Sequence, residues 1–163
     1  IDYRVNGSQP SNGTGYQFQF TELANGIIFQ DSNLTVEAFK VNHGDFEDAY
    51  GFRFTSKDKV IVFSGDTGPS QSLEKYAKDA DILVHEVYSN AGFLKKTKDW
   101  QNYHRSHHTS TYEVGEIASR AKPKLLVLSH ILFWGSTPED ILRETQTTYK
   151  GEIKIAEDLM VLK

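Results

Sequence analysis

The strongest constraint on the fold of this chain is that three apolar stretches each lead directly to ionisable residues. The stretches and the residues that end them are 62–66 with Asp66, 82–86 with His85-Glu86, and 125–130 with His130. A buried strand that carries its polar residue only at its C-terminal end is typical of parallel sheets, where such ends form sites. The repetition therefore predicts that these residues share one site at one edge of a sheet.

The composition favours one globular domain. The chain has 163 residues, of which 38% are hydrophobic, and its mean hydropathy is −0.50. Its longest apolar run is far shorter than the roughly 20 residues that span a bilayer, so no membrane segment is expected. The net charge of −4 argues against a broadly basic nucleic-acid surface. The absence of cysteine excludes disulfides and thiolate metal sites and leaves the cellular compartment open.

The pattern of apolar residues predicts a β-rich first part followed by alternating strands and helices. Strands are expected at 16–20, 26–29, 34–41, 50–54, 59–63, 81–85, 124–128, 152–156 and 159–162. Helices are expected at 72–77, after a cap at Ser110 or Thr111, and from Thr137. Residues 89–107 are polar and lack periodicity, which predicts a long functional loop.

Histidine and carboxylate side chains are the candidate metal ligands. His43 directly follows the strand at 34–41, and His130 follows an otherwise apolar strand. Together with Asp66 they form a donor set that suits Zn²⁺ or Mn²⁺, because a carboxylate can bridge two ions. His104 and His107 do not have a standard ligand spacing, and solvated positions are expected for both.

Five motifs occur in a fixed order: Ser-Gly-Asp-Thr-Gly-Pro, Leu-Val-His-Glu, His-Thr-Ser-Thr at a helix start, Leu-Val-Leu-Ser-His, and Ala-Glu-Asp-Leu. This series resembles the second half of the metallo-β-lactamase superfamily, closest to its ribonuclease Z-like branch, over roughly residues 34–163. The resemblance implies an α+β fold, a four-layer αββα sandwich. Residues 1–163 would supply mainly the C-terminal half of that single domain.

The resemblance also implies roles for five residues. His43 would be a ligand of one metal ion, Asp66 the bridging ligand, and His130 a ligand of the second ion. Glu86 and His108 would lie beside the metals and assist departure of the leaving group. Two Zn²⁺ ions are implied for the intact protein, with Mn²⁺ as the alternative.

Three features depart from the family pattern. The His-x-His-x-Asp-His motif of the first half is missing from these residues. We therefore expect a fragment whose own site is incomplete, and which forms a homodimer or associates with the first half of the fold. The turn at 54–60 is short where tRNA-processing members insert a long arm. Ile131-Leu132-Phe133-Trp134 stands where the family has Ser-Arg after the last histidine, so a phosphate-binding arginine is absent at that position. Both features argue against tRNA cleavage.

Three functions follow as hypotheses. The first is a metal-dependent hydrolase acting on a small sulfate or phosphodiester, favoured by an aromatic rim of Phe93, Trp100, Phe133 and Trp134. The second is a ribonuclease Z-type endonuclease that processes tRNA 3′ ends and grips the tRNA through surfaces outside these residues. The third is an inactive half-domain that serves as a scaffold.

Overall fold

A computed structural model of the protein describes residues 14–15, 17–18 and 20–162. These residues form one seven-stranded sheet and five helices, so the α+β prediction is confirmed. The strands are β1 Gly26–Gln30, β2 Leu34–Lys40, β3 Tyr50–Ser56, β4 Val60–Phe63, β5 Ile82–Tyr88, β6 Leu125–Leu132 and β7 Glu152–Ile155. The helices are α1 Gln71–Ala77, α2 Asn90–Phe93, α3 Lys98–His107, α4 Thr111–Ala121 and α5 Pro138–Thr145.

The strands lie in the sheet in their order along the chain. Strands β1 to β4 pair antiparallel, whereas β4 to β7 pair parallel. Since parallel strands end at the same sheet edge, the residues that follow β4, and those at the ends of β5 and β6, lie near one another. The shared edge predicted from the three apolar stretches is therefore present.

Helices α1, α4 and α5 cover one face of the sheet and enclose the core. The fully buried side chains there include Phe39, Leu83, Ile117, Leu126 and Leu128. Helix α4 begins with a capping box, in which Ser110 and Glu113 each bond the other's backbone N–H. Such a cap contributes about 1 kcal/mol and fixes the residue at which the preceding loop ends.

The opposite face of the sheet is apolar and partly open. Phe29 and Phe63 on this face are 49% and 42% exposed. If the first half of the fold is missing, the apolar strands predict an uncovered face formed by Val60, Val62, Leu83, Val84, Leu126 and Leu128. Four of these, Val62, Leu83, Leu126 and Leu128, are instead fully buried beneath the helices, whereas Val84 lines the open face. Strand alternation explains the correction, because the next residue along each strand points to the other side.

Three predicted elements differ from the structure. Residues 89–107 contain helices α2 and α3 rather than a long irregular loop, and residues 159–162 are not a strand. Of the strand expected at 16–20, residues 17, 18 and 20 are not in a strand, and the other two lie outside the described residues. Among the described helices, none has the length and apolar character needed to cross a membrane.

Candidate metal centre

Asp66 is carried on a tight turn directly after β4. Gly65 in this turn has a φ of 62°, and a Cβ at that position would lie 2.5 Å from the carbonyl oxygen of Tyr50. Only glycine fits both restrictions. The Ser64 N–H donates to the Val84 carbonyl at 2.9 Å, which ties the turn to the neighbouring strand. The Asp66 side chain is 46% exposed and available to a ligand.

His130 occupies a bulge in β6. The pairing with β5 shifts between Ser129 and Ile131, and His130 between them has a φ of 43°. A bulge of this kind turns a side chain out of the alternation of its strand. As a result, Nε2 of His130 lies 3.5 Å from Oδ2 of Asp66.

His108 completes a group of three potential ligands. It follows α3 in an extended conformation, and its N–H donates to the His104 carbonyl at 2.8 Å. One donor atom from each of Asp66, His108 and His130 can be chosen so that all three lie within 4.8 Å of one another. Two imidazoles and one carboxylate are a donor set that Zn²⁺ accepts in catalytic sites, with a further position left open.

Glu86 lies behind His108 and is 2% exposed. Its Oε1 accepts hydrogen bonds from the N–H groups of Thr67, at 3.2 Å, and Thr109, at 3.0 Å. The same oxygen is 3.3 Å from Nδ1 of His108, a close contact that falls short of an aligned hydrogen bond. One carboxylate therefore joins the loop that carries Asp66 to the segment that carries His108.

The pKa values of these two groups shift for related reasons. Burial raises the pKa of Glu86 above its usual value, and His108 and the backbone N–H groups oppose that shift. Burial alone would lower the pKa of His108. The carboxylates of Glu86 and Asp66 outweigh it and raise the pKa of His108 above its usual value. The Glu86 contact with Nδ1 leaves Nε2 as the His108 nitrogen available to the cluster.

His43 lies beside this group of three but is not a member of it. Its Nδ1 is 2.8 Å from the His107 carbonyl, so this nitrogen is the donor. The His43 ring centre is 5.3 Å from that of His108. The structure thus brings together Asp66, His108 and His130 as one donor group, with His43 as an adjacent imidazole.

His104 and His107 are buried, 6% and 5% exposed, and the prediction of solvated positions for them is wrong. Each Nδ1 bonds the carbonyl one helical turn earlier, His104 to Trp100 at 2.9 Å and His107 to Tyr103 at 2.8 Å. The signal in the sequence was the spacing of Gln101, His104 and His107 on one face of α3. Apolar periodicity does not reveal this helix, because its buried face carries polar rather than apolar residues.

A cavity of about 350 Å³ opens beside the cluster on the uncovered sheet face. Its aromatic lining comes from Phe52, Phe54 and Phe63, next to Asp66 and His130. This lining does not include the residues expected to form an aromatic rim, which are Phe93, Trp100, Phe133 and Trp134. Of these, Phe93 is buried against Tyr88, and Trp100 is 54% exposed on α3.

Residues 4–131 match the family model of the beta-lactamase superfamily domain. The chain is 33% identical over 107 residues to ribonuclease Z from Archaeoglobus fulgidus, covering 65% of this chain and 33% of that protein. It is 25% identical over 197 residues to ribonuclease Z from Bacillus velezensis, covering 89% of this chain and 61% of that protein. The chain therefore spans between one third and three fifths of these relatives.

The fold is also that of a solved structure. The metallo-beta-lactamase fold protein YhfI from Bacillus subtilis matches with a TM-score of 0.67 and 23% identity, over 83% of this chain and 52% of that chain. This likeness confirms the metallo-β-lactamase-type architecture.

Proposed function

Because this chain belongs to the beta-lactamase superfamily domain family, we propose that it contributes to a metal-dependent phosphodiesterase that cleaves RNA. The observation that carries the proposal is the group in which Asp66 and His130, near the C-terminal ends of parallel strands, meet His108, which follows α3. The names of its ribonuclease Z relatives support RNA as the substrate. Precursor tRNA with a 3′ extension is the substrate that the resemblance implies.

In this proposal Asp66 and His130 would hold the metal, and His43 would be a further ligand. A bound Zn²⁺ or Mn²⁺ supplies Lewis-acid polarisation of the phosphoryl group and an activated water. The exposed Asp66 and His130 side chains leave the open side of the cluster to the substrate. A phosphodiester entering from that side meets both residues and His108 together.

His108 holds the proton that the leaving oxygen needs. Its Nδ1 faces the Glu86 carboxylate at 3.3 Å, so that side of the ring is fixed and Nε2 points to the cluster. Glu86 favours the protonated imidazole and is itself fixed by Thr67 and Thr109. A positioned general acid of this kind contributes about 10²–10⁴-fold to the rate.

A small aryl or alkyl ester is the second candidate substrate. The cavity beside Asp66 and His130 favours it, because Phe52, Phe54 and Phe63 give that cavity an apolar wall. Apolar walls with a few polar groups are typical of small-molecule sites. The same side chains belong to the uncovered sheet face, however, so the cavity supports this substrate less directly than the relatives support RNA.

The experiment compares three substrates at equal metal concentration in the full protein. Precursor tRNA with a 3′ extension, bis(4-nitrophenyl) phosphate and 4-nitrophenyl sulfate are each incubated with Zn²⁺ or Mn²⁺. We expect cleavage of the RNA that stops on chelation and in Asp66→Asn. Cleavage of the sulfate without cleavage of RNA would overturn the proposal. Absence of metal binding by the full protein would instead support a scaffold.

A further inference from the structure

Helix α3 presents two exposed aromatic side chains beside the candidate metal centre. Trp100 and Tyr103 are 54% and 50% exposed and lie three residues apart, so they are neighbours on one side of the helix. Together with Asp99 they line a cavity of about 420 Å³. Large aromatic side chains that are exposed side by side at a cavity indicate a ligand-binding surface.

Both rings are held in place from beneath by imidazoles. The Trp100 ring stacks on His104 with centres 4.7 Å apart and planes 13° apart. The Tyr103 ring stacks on His107 with centres 4.0 Å apart and planes 20° apart. The hydrogen bonds from these imidazoles to the carbonyls of Trp100 and Tyr103 fix the arrangement. The pair of aromatic rings of Trp100 and Tyr103, called the platform below, is therefore ordered before any ligand binds. This order lowers the entropy cost of binding.

The stacked rings of Trp100 and His104 lead to His108 of the candidate metal centre. The His104 ring lies 5.6 Å from the His108 ring, with planes 27° apart. The exposed Trp100 ring is thus separated from His108 by one imidazole.

The charge around the platform favours a polyanion. Residues 94–108 contain Lys95, Lys96, Lys98 and Arg105 but only one acidic residue, Asp99, although the whole chain has a net charge of −4. Lys95, Lys98 and Arg105 are exposed. Cationic side chains next to stacked aromatics are the combination that binds single-stranded nucleic acid, because phosphates pair with the cations and bases stack on the rings.

We propose that Trp100 and Tyr103 form a base-stacking platform for unpaired nucleotides of RNA that flank the scissile phosphate. This inference rests on the proposed function and adds the part of the substrate that α3 contacts. Unpaired bases are the ones that stack on protein aromatics, whereas paired bases are already stacked. The platform therefore selects RNA whose cleavage point lies beside a single-stranded segment.

The test measures binding of a fluorescein-labelled single-stranded RNA to the full protein by anisotropy, with EDTA present so that cleavage does not interfere. Trp100→Ala and Tyr103→Ala should each weaken binding by about 5- to 100-fold. Trp100→Phe, which keeps an aromatic face, should stay within about 3-fold of the wild-type protein. The matched control is Tyr112→Ala, which removes an aromatic side chain that is 37% exposed on α4 and should leave the affinity unchanged.

An abasic RNA of equal length separates stacking from a structural effect. Trp100→Ala should weaken binding of the base-bearing RNA but not that of the abasic RNA. Equal loss for both RNAs, or no loss for either, would overturn the platform. Cleavage of bis(4-nitrophenyl) phosphate by the wild-type protein is measured in parallel. That cleavage reports on the proposed function alone, because this ester has no base to stack.

Discussion

The imidazole of His130 lies 3.5 Å, Nε2 to Oδ2, from the carboxylate of Asp66, although Asp66 follows β4 and His130 lies within β6. The contact depends on two backbone features, the turn with Gly65 at a φ of 62° and the bulge with His130 at a φ of 43°. Left-handed conformations are costly for residues other than glycine, so His130 retains this one because the surrounding strand pairing requires it. The strained residue is one of the three potential metal ligands, which is where such strain is usually retained.

Removal of the Asp66 carboxylate should abolish metal binding at the cluster. In Asp66→Ala the two imidazoles lose the only anionic donor of the group, and we expect metal content near zero and turnover at background. Metal analysis after dialysis and titration calorimetry with Zn²⁺ measure the effect. Asp58→Ala is the matched control, because Asp58 is an exposed carboxylate in the β3–β4 turn. Full metal content in Asp66→Ala would show that the ligands lie elsewhere.

Replacement of His108 should separate a proton donor from a metal ligand. If His108 is the acid, His108→Ala keeps its metal and loses about 10²–10⁴-fold in kcat. The loss should shrink for a 4-nitrophenyl leaving group, which departs without a proton, and Glu86→Gln should show the same dependence on leaving group. The measurements are metal content and kcat across esters with leaving groups of different pKa. Lost metal in His108→Ala would identify it as a ligand.

The site was predictable where it depended on strand ends and unpredictable where it depended on loops. Asp66 and His130 could be assigned to one edge, because apolar runs define the strands and parallel strands share an edge. His108, rather than His43, joins Asp66 and His130 in the group of potential ligands. This depends on where α3 ends, because His108 directly follows that helix. Helix α3 was missed since Gln101, His104 and His107 form its buried side, and these residues give no apolar periodicity.

The sheet was largely predictable for the same reason. Strands β2, β3 and β4 alternate or are continuously apolar, and the turn at Ser56–Lys59 marks the hairpin between β3 and β4. The face that each residue occupies was harder to assign, as Val62 shows. Its assignment requires knowing which side the helices cover, and a central strand that is apolar on both faces does not carry that information.

Gly65→Ala should destabilise the fold more than Gly135→Ala. Both glycines have positive φ, 62° and 88°, so alanine costs about 1–2 kcal/mol at each site. Only at Gly65 would the new Cβ also clash, at 2.5 Å from the Tyr50 carbonyl, which adds about 1–3 kcal/mol. Urea unfolding of both variants measures the difference. Equal free energies of unfolding would show that the Gly65 turn relaxes without cost.

His85 should make the fold less stable in acid. Its ring is fully buried, and burial lowers the pKa of His85 from 6.5 to about 4, although a hydrogen bond to the Glu86 carbonyl opposes the shift. The unfolded chain therefore binds a proton between about pH 6.5 and 4 that the folded chain does not. The contribution of His85 to the free energy of unfolding is fully present above that range. It falls by up to about 3 kcal/mol as the pH decreases through the range. Urea unfolding across this range, in EDTA, measures the slope.

Two variants test the contribution of His85, because they should change the pH dependence of the free energy of unfolding in opposite directions. His85→Asn keeps an N–H donor near the Glu86 carbonyl but cannot titrate, so its free energy of unfolding should fall less steeply with acid than that of the wild-type protein. Glu86 has a raised pKa in the folded state, so its contribution is present at low pH and is lost as the pH rises. Glu86→Gln should therefore lose stability more steeply with acid. A wild-type slope retained in His85→Asn would mean that His85 is not the group that titrates.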